Sequence, residues 1–344
     1  MNEINLFVPG RLCLFGEHSD WAGYLRVFNA DIVAGSAIVT GIDLGIHASA
    51  KKSSIFKVNS KIAEKNFECP MQTEELRKIA LSDNYYAYMA GVASYIAEHY
   101  SISGVEITIN DMDLPIKSGL SSSAAICVLV ARAFNILYEL NLNTQGEMML
   151  AFKGEQRTKS RCGRLDQACA FGSVPVIMSF DGEDITVKQI TVKSPLRWVF
   201  ASLNGNKDTI TILADLNKSF PFARTRLDYE LHSALGVENQ NIVSKAVDCI
   251  QNGKKEELGL LMTEAQRIFD EKIRPASPIE LEAPKLHGLL NDARVKELTF
   301  GGKGVGSGGD GSVQFLAKNN ECSEKLREYL TKLGFSSYAF TINS

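Results

Sequence analysis

In LPIKSGLSSSAAICVLVARAFN (residues 114–135), Gly119 and the consecutive Ser121, Ser122 and Ser123 stand directly before an apolar run of helical length. A loop that turns into a helix there exposes backbone N–H groups at the positive end of the helix dipole, and such a place attracts phosphate. Serine also opens helices as an N-cap, so these residues alone leave both readings standing. Gly119 permits close backbone approach by a ligand, and three adjacent hydroxyls exceed what one cap requires. Downstream, in AFKGEQRTKSRCGRLDQACAFG (151–172), Glu155 and Asp166 lie on either side of Gly163. Two carboxylates from separate elements can converge on one site; the plainer alternatives are a Glu155–Lys159 pair one helical turn apart and Asp166 as a cap. Near the start, PGRLCLFGEHSD (9–20) follows the apolar Leu12, Leu14 and Phe15 with Glu17, His18 and Asp20. That set offers hydrogen-bonding groups for ligand hydroxyls, although a histidine satisfied by its own neighbours is a second reading of His18. Near the other end, GGKGVGSGGDG (301–311) carries seven glycines. Its formal G-x-G-x-x-G match is accidental, because a dinucleotide fingerprint opens a helix whereas this loop runs into the strand-like SVQFLA. What survives is backbone free to pass close to a bound group, or a flexible turn.

These residues need a scaffold of strands and helices. Alternating and β-branched apolar residues predict strands over 7–15, 33–50, 104–109, 176–179 and 185–192, and helical patterns cover 86–97 and 124–140. Thr144 and Glu147 form a Thr-x-x-Glu capping box, and Gly163 follows as a stop signal, so a helix is expected from 145 to about 160. Ser194-Pro195 and Asn204-Gly205 punctuate the chain where it becomes more charged, which places a domain boundary near Pro195. Beyond it, helices are expected over 227–250 and 256–272. A strand at 298–300, the glycine loop, a strand at 313–317, a helix at 323–333 and a strand at 338–342 then make an α+β unit.

A length of 344 residues favours two domains, and 45% hydrophobic with 22% charged residues describes an ordinary globular protein. A net charge of −3 offers no broad field for nucleic acid or anionic lipid, so a small-molecule partner is expected. MNEINLFVPG lacks the basic start and apolar run of a signal peptide, and no stretch is apolar enough to span a bilayer; a cytoplasmic protein is expected. The seven cysteines (Cys13, Cys69, Cys127, Cys162, Cys169, Cys249 and Cys322) are scattered and never spaced as C-x-x-C, and read as reduced core fillers.

In order and at the expected distances, PGRLCLFGEHSD, PIKSGLSSSAA and GGKGVGSGGDG resemble the three signature motifs of the galactokinase, homoserine kinase, mevalonate kinase and phosphomevalonate kinase (GHMP) superfamily. The third lacks the usual G-A-G-x-G-G form. The resemblance implies an α+β, two-domain GHMP kinase fold, with residues 1–195 like the second domain of ribosomal protein S5 and 196–344 ferredoxin-like. It implies ATP-dependent phosphorylation of a small metabolite with ATP and Mg²⁺ as cofactors. By matching position, Lys117, Gly119, Leu120, Ser121, Ser122, Ser123 and Ala124 would surround the ATP phosphates, and Ser123 and Glu155 would hold Mg²⁺. Asp166 would face the phosphoryl acceptor with Arg11 paired to it, and Gly304, Gly306 and Gly308 would lie near the site. Glu17, His18 and Asp20 would bind the acceptor. Galactokinases read GEHTDYNGG at this motif and mevalonate kinases GEHAVVYG; GEHSDWAG keeps the aspartate, so a sugar is favoured. The segment after Asp20 departs from the galactokinase pattern, which leaves galactose itself in doubt. Arg224 and Arg226 could recognise the carboxylate of a sugar acid or be plain surface arginines. The resulting expectation is a kinase transferring the γ-phosphate to a sugar hydroxyl. The alternatives are a mevalonate-like or polyol kinase and a non-catalytic sugar and ATP sensor.

Overall fold

A computed structural model describes residues 3–62, 65–114, 119–160, 162–205 and 207–343. Its strands are β1 (Ile4–Phe15), β2 (Gly35–Ser53), β3 (Phe56–Ser60), β4 (Lys65–Cys69), β5 (Gly104–Met112), β6 (Val176–Asp181), β7 (Asp184–Gln189), β8 (Leu196–Ser202), β9 (Thr299–Gly304), β10 (Ser312–Ala317) and β11 (Ser336–Ile342). The chain forms two compact units, Met1–Arg11 with Gly41–Ser173, and Leu12–Thr40 with Val174–Ser344. These units interleave along the sequence, and the four-stranded sheet β11-β8-β10-β9 is built from strands after residue 195.

In the first unit, β3 pairs in parallel with β5 and antiparallel with β4, and β5 runs antiparallel to residues 46–53 of β2. The helix Ser122–Tyr138 is apolar almost all round, and ten of its residues, from Ala124 to Leu137, are buried. A helix without a polar face has to lie inside the unit. Thr144–Glu155 packs against Ala87–His99 at a glycine contact, where a Cβ on Gly154 would come within 2.5 Å of Val92 Cα. That close approach carries Glu155, the last residue of its helix, into the interior. This helix starts as expected but ends five residues early, and its cap differs. Asn143, not Thr144, accepts the N-terminal hydrogen bond from Gly146. Glu147 is spent elsewhere, accepting from Arg132 Nε at 2.9 Å and Asn135 Nδ2 at 2.8 Å.

In the second unit, residues 35–39 of β2 pair antiparallel with β6, which forms a hairpin with β7. The four-stranded sheet is antiparallel throughout. Numbered within the sheet its order is 4-1-3-2, the split βαβ arrangement of the ferredoxin-like fold. All six residues of β10 are buried, the polar Ser312 and Gln314 included. Gln314, at its centre, is satisfied on both sides, accepting from Trp198 Nε1 at 2.9 Å and donating to Cys13 O at 2.8 Å. Helix Asn320–Lys332 covers this sheet with Leu326 and Leu330, each worth roughly 1.5–3 kcal/mol in burial. The long helix expected over 227–250 is broken. Gly236 leaves helical geometry between Arg226–Ser233 and Asn239–Asn252. None of the seven cysteines forms a disulfide, and five are buried. Among the described residues no helix is long and apolar enough to cross a membrane.

Candidate active site

The first unit collects Arg11, Gly119, Ser121, Ser123, Glu155 and Asp166. Arg11, at the point where β1 leaves this unit, donates from Nε to Asp166 Oδ1 at 3.0 Å, and its Nη2 makes a second, shorter contact with the same oxygen. The pair is largely buried, at 9% and 19% side-chain exposure. Arg11 also holds the loop before the helix, donating from Nη1 to Gly119 O at 3.1 Å and from its backbone N–H to Leu120 O at 3.0 Å. One arginine therefore fixes both the carboxylate and the glycine loop. Asp166 Oδ1 accepts from Ser121 Oγ at 3.1 Å and Oδ2 from the Gly163 N–H at 3.2 Å.

The helix begins in an unusual way. Ser121 precedes it with a left-handed backbone (φ 54°) and gives its hydroxyl to Asp166 instead of capping the helix. The N–H groups of Ser122, Ser123 and Ala124 thus receive no cap from Ser121, and first-turn donors of a helix are groups that attract phosphate. Gly119, at φ +87°, supplies the left-handed turn into this loop. Leu120 and Ala124 are buried and anchor it. Lys117 lies outside the described residues.

Glu155 is fully buried and has no ion pair with Lys159, which reaches Asp83 instead. Its carboxylate accepts from Gln167 Nε2 at 2.8 Å and Ser160 Oγ at 3.1 Å, with the Ser123 hydroxyl as a further donor. Burial, and then the charge of Asp166, push its pKa up. Gln167 turns its other end, Oε1, into the same interior, where it is buried without a hydrogen-bond donor among the described residues. A carboxylate short of positive charge, a serine hydroxyl and an orphaned amide oxygen form a hard-oxygen set that suits Mg²⁺. No three His, Cys, Asp or Glu side chains cluster as a complete metal cage among the described residues, so an ion here would draw its other ligands from phosphate and water.

The second unit holds Glu17, His18, Asp20 and the glycine loop. Glu17 is ion-paired with Lys303 on β9, both nearly buried. His18 has a left-handed backbone (φ 67°), and both its ring nitrogens are engaged. Nδ1 accepts from Trp21 Nε1 at 3.1 Å, and Nε2 lies 3.4 Å from Ser307 O in the glycine loop. Burial lowers its pKa to about 4, and the nearby Lys207 and Lys303 act in the same direction, so the ring is neutral. Asp20 is buried on the short helix Ser19–Tyr24. Trp21 stands edge-on to Phe220 with centroids 5.2 Å apart, a packing contact. The glycine loop closes the β9–β10 hairpin. Gly306 and Gly308 adopt φ of +68° and +90°, and the Gly304 N–H donates to Gln266 Oε1 at 2.7 Å. No helix follows the loop, as the sequence indicated. Arg226 is exposed and paired with Glu230, so of its two readings the surface one applies.

Residues 87–173 match the family model for the GHMP kinases N terminal domain. The match spans the serine-flanked helix, Glu155 and Asp166. Beyond it, the chain is 26% identical to a galactokinase of Pyrococcus furiosus over 99% of this chain and 98% of that protein. Along its length the chain is similar to GHMP kinases. The superfamily's breadth is visible among its relatives, which include a mevalonate kinase of Archaeoglobus fulgidus, 22% identical over 91% of this chain and 92% of the other. A crystal structure of Lactococcus lactis galactokinase complexed with galactose shares the fold at a TM-score of 0.74, with 18% identity over 99% of this chain and 93% of that one. As a GHMP kinase fold, the architecture is the two-domain α+β arrangement that the motifs implied, and members of the superfamily use ATP as phosphate donor.

Lys303, Lys207, Gln167 and Ser160 were not singled out from the sequence. For two of them a signal existed: Lys303 is the one cation within GGKGVGSGGDG, and Gln167 directly follows Asp166.

Proposed function

We propose that this chain is a GHMP kinase, an ATP-dependent sugar kinase of the cytoplasm that transfers the γ-phosphate to a hydroxyl of a small sugar. The observation that carries the reading is the Asp166 carboxylate, held by Arg11, Ser121 and the Gly163 N–H at the mouth of a helix whose first-turn donors receive no side-chain cap from Ser121. Mg²⁺-bound ATP supplies the phosphoryl group and neutralises its charge. Ser123 and Glu155 would hold the ion, with Gln167 Oε1 as a further oxygen. The loop from Gly119 to Ser121 and the N–H groups of Ser122, Ser123 and Ala124 bind phosphate oxygens.

Phosphoryl transfer passes through a loose transition state, so positioning and charge supply most of the catalysis. Asp166 orients the acceptor hydroxyl. It collects the proton as the oxygen bonds to phosphorus, when that proton is already acidic. Arg11 keeps Asp166 and the glycine loop in register. Glu17 and Asp20 bind acceptor hydroxyls, and His18, with both nitrogens occupied, positions the loop through Ser307.

ADP release measured across neutral monosaccharides, uronic acids, polyols and mevalonate tests the reading. Turnover with a sugar is expected. Turnover with mevalonate alone would assign the enzyme to the other branch of its relatives, and binding of sugar and ATP without ADP release would make it a sensor.

A further inference from the structure

Two lysines of the second unit meet the glycine loop from opposite ends. Lys303 closes β9, where its ammonium pairs with Glu17 and donates to Gly304 O at 2.9 Å. Lys207 follows β8 and donates to Gly308 O at 2.8 Å. Its segment is stitched to the loop by backbone hydrogen bonds from Leu203 to Gly311 O and from Gly205 to Asp310 O. The lysine's end lies directly over Gly311, where a Cβ would come within 2.5 Å of Lys207 Cε and Nζ.

Glu17 already serves Lys303, and among the described residues no carboxylate lies within ion-pair distance of Lys207. The other acids around the loop keep their charge but are held by other groups and do not contact Lys207. Asp310 accepts from the backbone N–H groups of Lys285 and Leu286, and Glu280 accepts from the Asp208 N–H. Asp270 is held by His287 and Gln266. His18 is neutral and contributes no charge. Burial pulls the Lys207 pKa down to about 8, opposed by the more distant Glu17, as befits an ammonium with carbonyl company and no counter-ion. A partly desolvated cation without a partner is unfavourable unless a ligand supplies the anion.

We propose that Lys207, with Lys303 beside it, receives an oxyanion carried by the acceptor, so that the substrate is an acidic sugar and not a neutral one. The inference rests on the sugar-kinase reading and narrows it. A carboxylate and a phosphate present the same chemistry to an ammonium, and they are separated by experiment.

Calorimetric binding and ADP release are measured for matched acceptors: hexoses, the corresponding hexuronates and the hexose 6-phosphates. One anionic series should bind at least about tenfold more tightly than its neutral parent, since a hydrogen bond to a charged group adds roughly 10- to 100-fold in affinity. Lys207→Gln keeps an N–H donor for Gly308 O and removes the charge. In that variant the preference should vanish, while affinity for neutral sugars and for ATP stays within about twofold. If neutral sugars are bound and phosphorylated as well as their acidic counterparts, the inference fails and the sugar kinase stands. If Lys207→Gln weakens ATP and leaves the acceptor preference intact, the lysine serves the nucleotide and the inference fails. If no sugar binds or releases ADP, both readings fall. The wild-type comparison alone decides between the first and last of these even if the variant does not fold.

Discussion

Acidification should destabilise the second unit through one residue, His18. In the folded protein its pKa is lowered to about 4 by burial, reinforced by the charges of Lys207 and Lys303 and opposed by the hydrogen bond to Ser307. Once unfolded it returns to 6.5. Because the folded state resists the proton, the stability contributed by the neutral ring is fully present above pH 6.5. It is lost as pH falls toward 4, where the unfolded chain is protonated and the fold is not. Each pH unit between these limits is worth about 1.4 kcal/mol, so about 2 kcal/mol goes between pH 7 and 5 and about 3 kcal/mol by pH 4. The geometry gives the same direction, since protonating Nδ1 would set two donors, the ring and Trp21 Nε1, against each other at 3.1 Å. Both tryptophans, Trp21 and Trp198, belong to the unit that holds His18, so tryptophan emission during urea unfolding reports on that unit. The control is His18→Asn, because asparagine tolerates the left-handed backbone that this position requires. At a slope of about 2 kcal/mol per M, the wild-type urea midpoint should drop by about 1 M more than that of the variant between pH 7 and 5. Midpoints that fall in parallel, or an NMR titration of His18 near its ordinary value, would refute the reasoning.

Asp166→Asn should lower kcat by roughly 10²–10⁴-fold while nucleotide affinity, followed by fluorescence titration, stays unchanged; a near-normal rate removes Asp166 from the chemistry. Glu155→Gln replaces a buried carboxylate of raised pKa by an isostere that needs no charge, so the thermal midpoint without metal should hold or rise. The same variant should lose at least about 100-fold in activity, and unchanged dependence of the rate on Mg²⁺ concentration would contradict a role for Glu155 in holding the ion. Arg132→Met leaves Glu147 buried without its ion-pair partner and should cost about 3–5 kcal/mol by urea unfolding. Adding Glu147→Leu should recover most of that loss.

What could be read from the sequence divides along the range of the interactions involved. Elements whose signal is local came through. The helix of 124–140 is there because its run is apolar, and the glycine loop is a hairpin because SVQFLA reads as a strand. Where a side chain had a choice between a local and a distant partner, the distant one often won. Ser121 passes over the helix N–H groups for Asp166, 45 positions away, and Glu147 passes over the Thr144 cap for Arg132. Each time the chosen partner is charged and partly buried, where a charge-assisted hydrogen bond outweighs an ordinary cap. Lys303 and Glu17 are 286 positions apart, and no spacing rule connects them. The same logic separates the two acids read from one stretch. Glu155 and Asp166 looked alike as carboxylates flanking a glycine, yet one is buried among neutral donors and resists ionisation while the other is clamped by an arginine. An acid that resists charge gains most from a cation brought by a ligand, and an acid already neutralised is free to attend to a hydroxyl. The division of labour between metal holding and acceptor orientation is therefore set by what each carboxylate is folded against, which the eleven-residue interval between them could not convey.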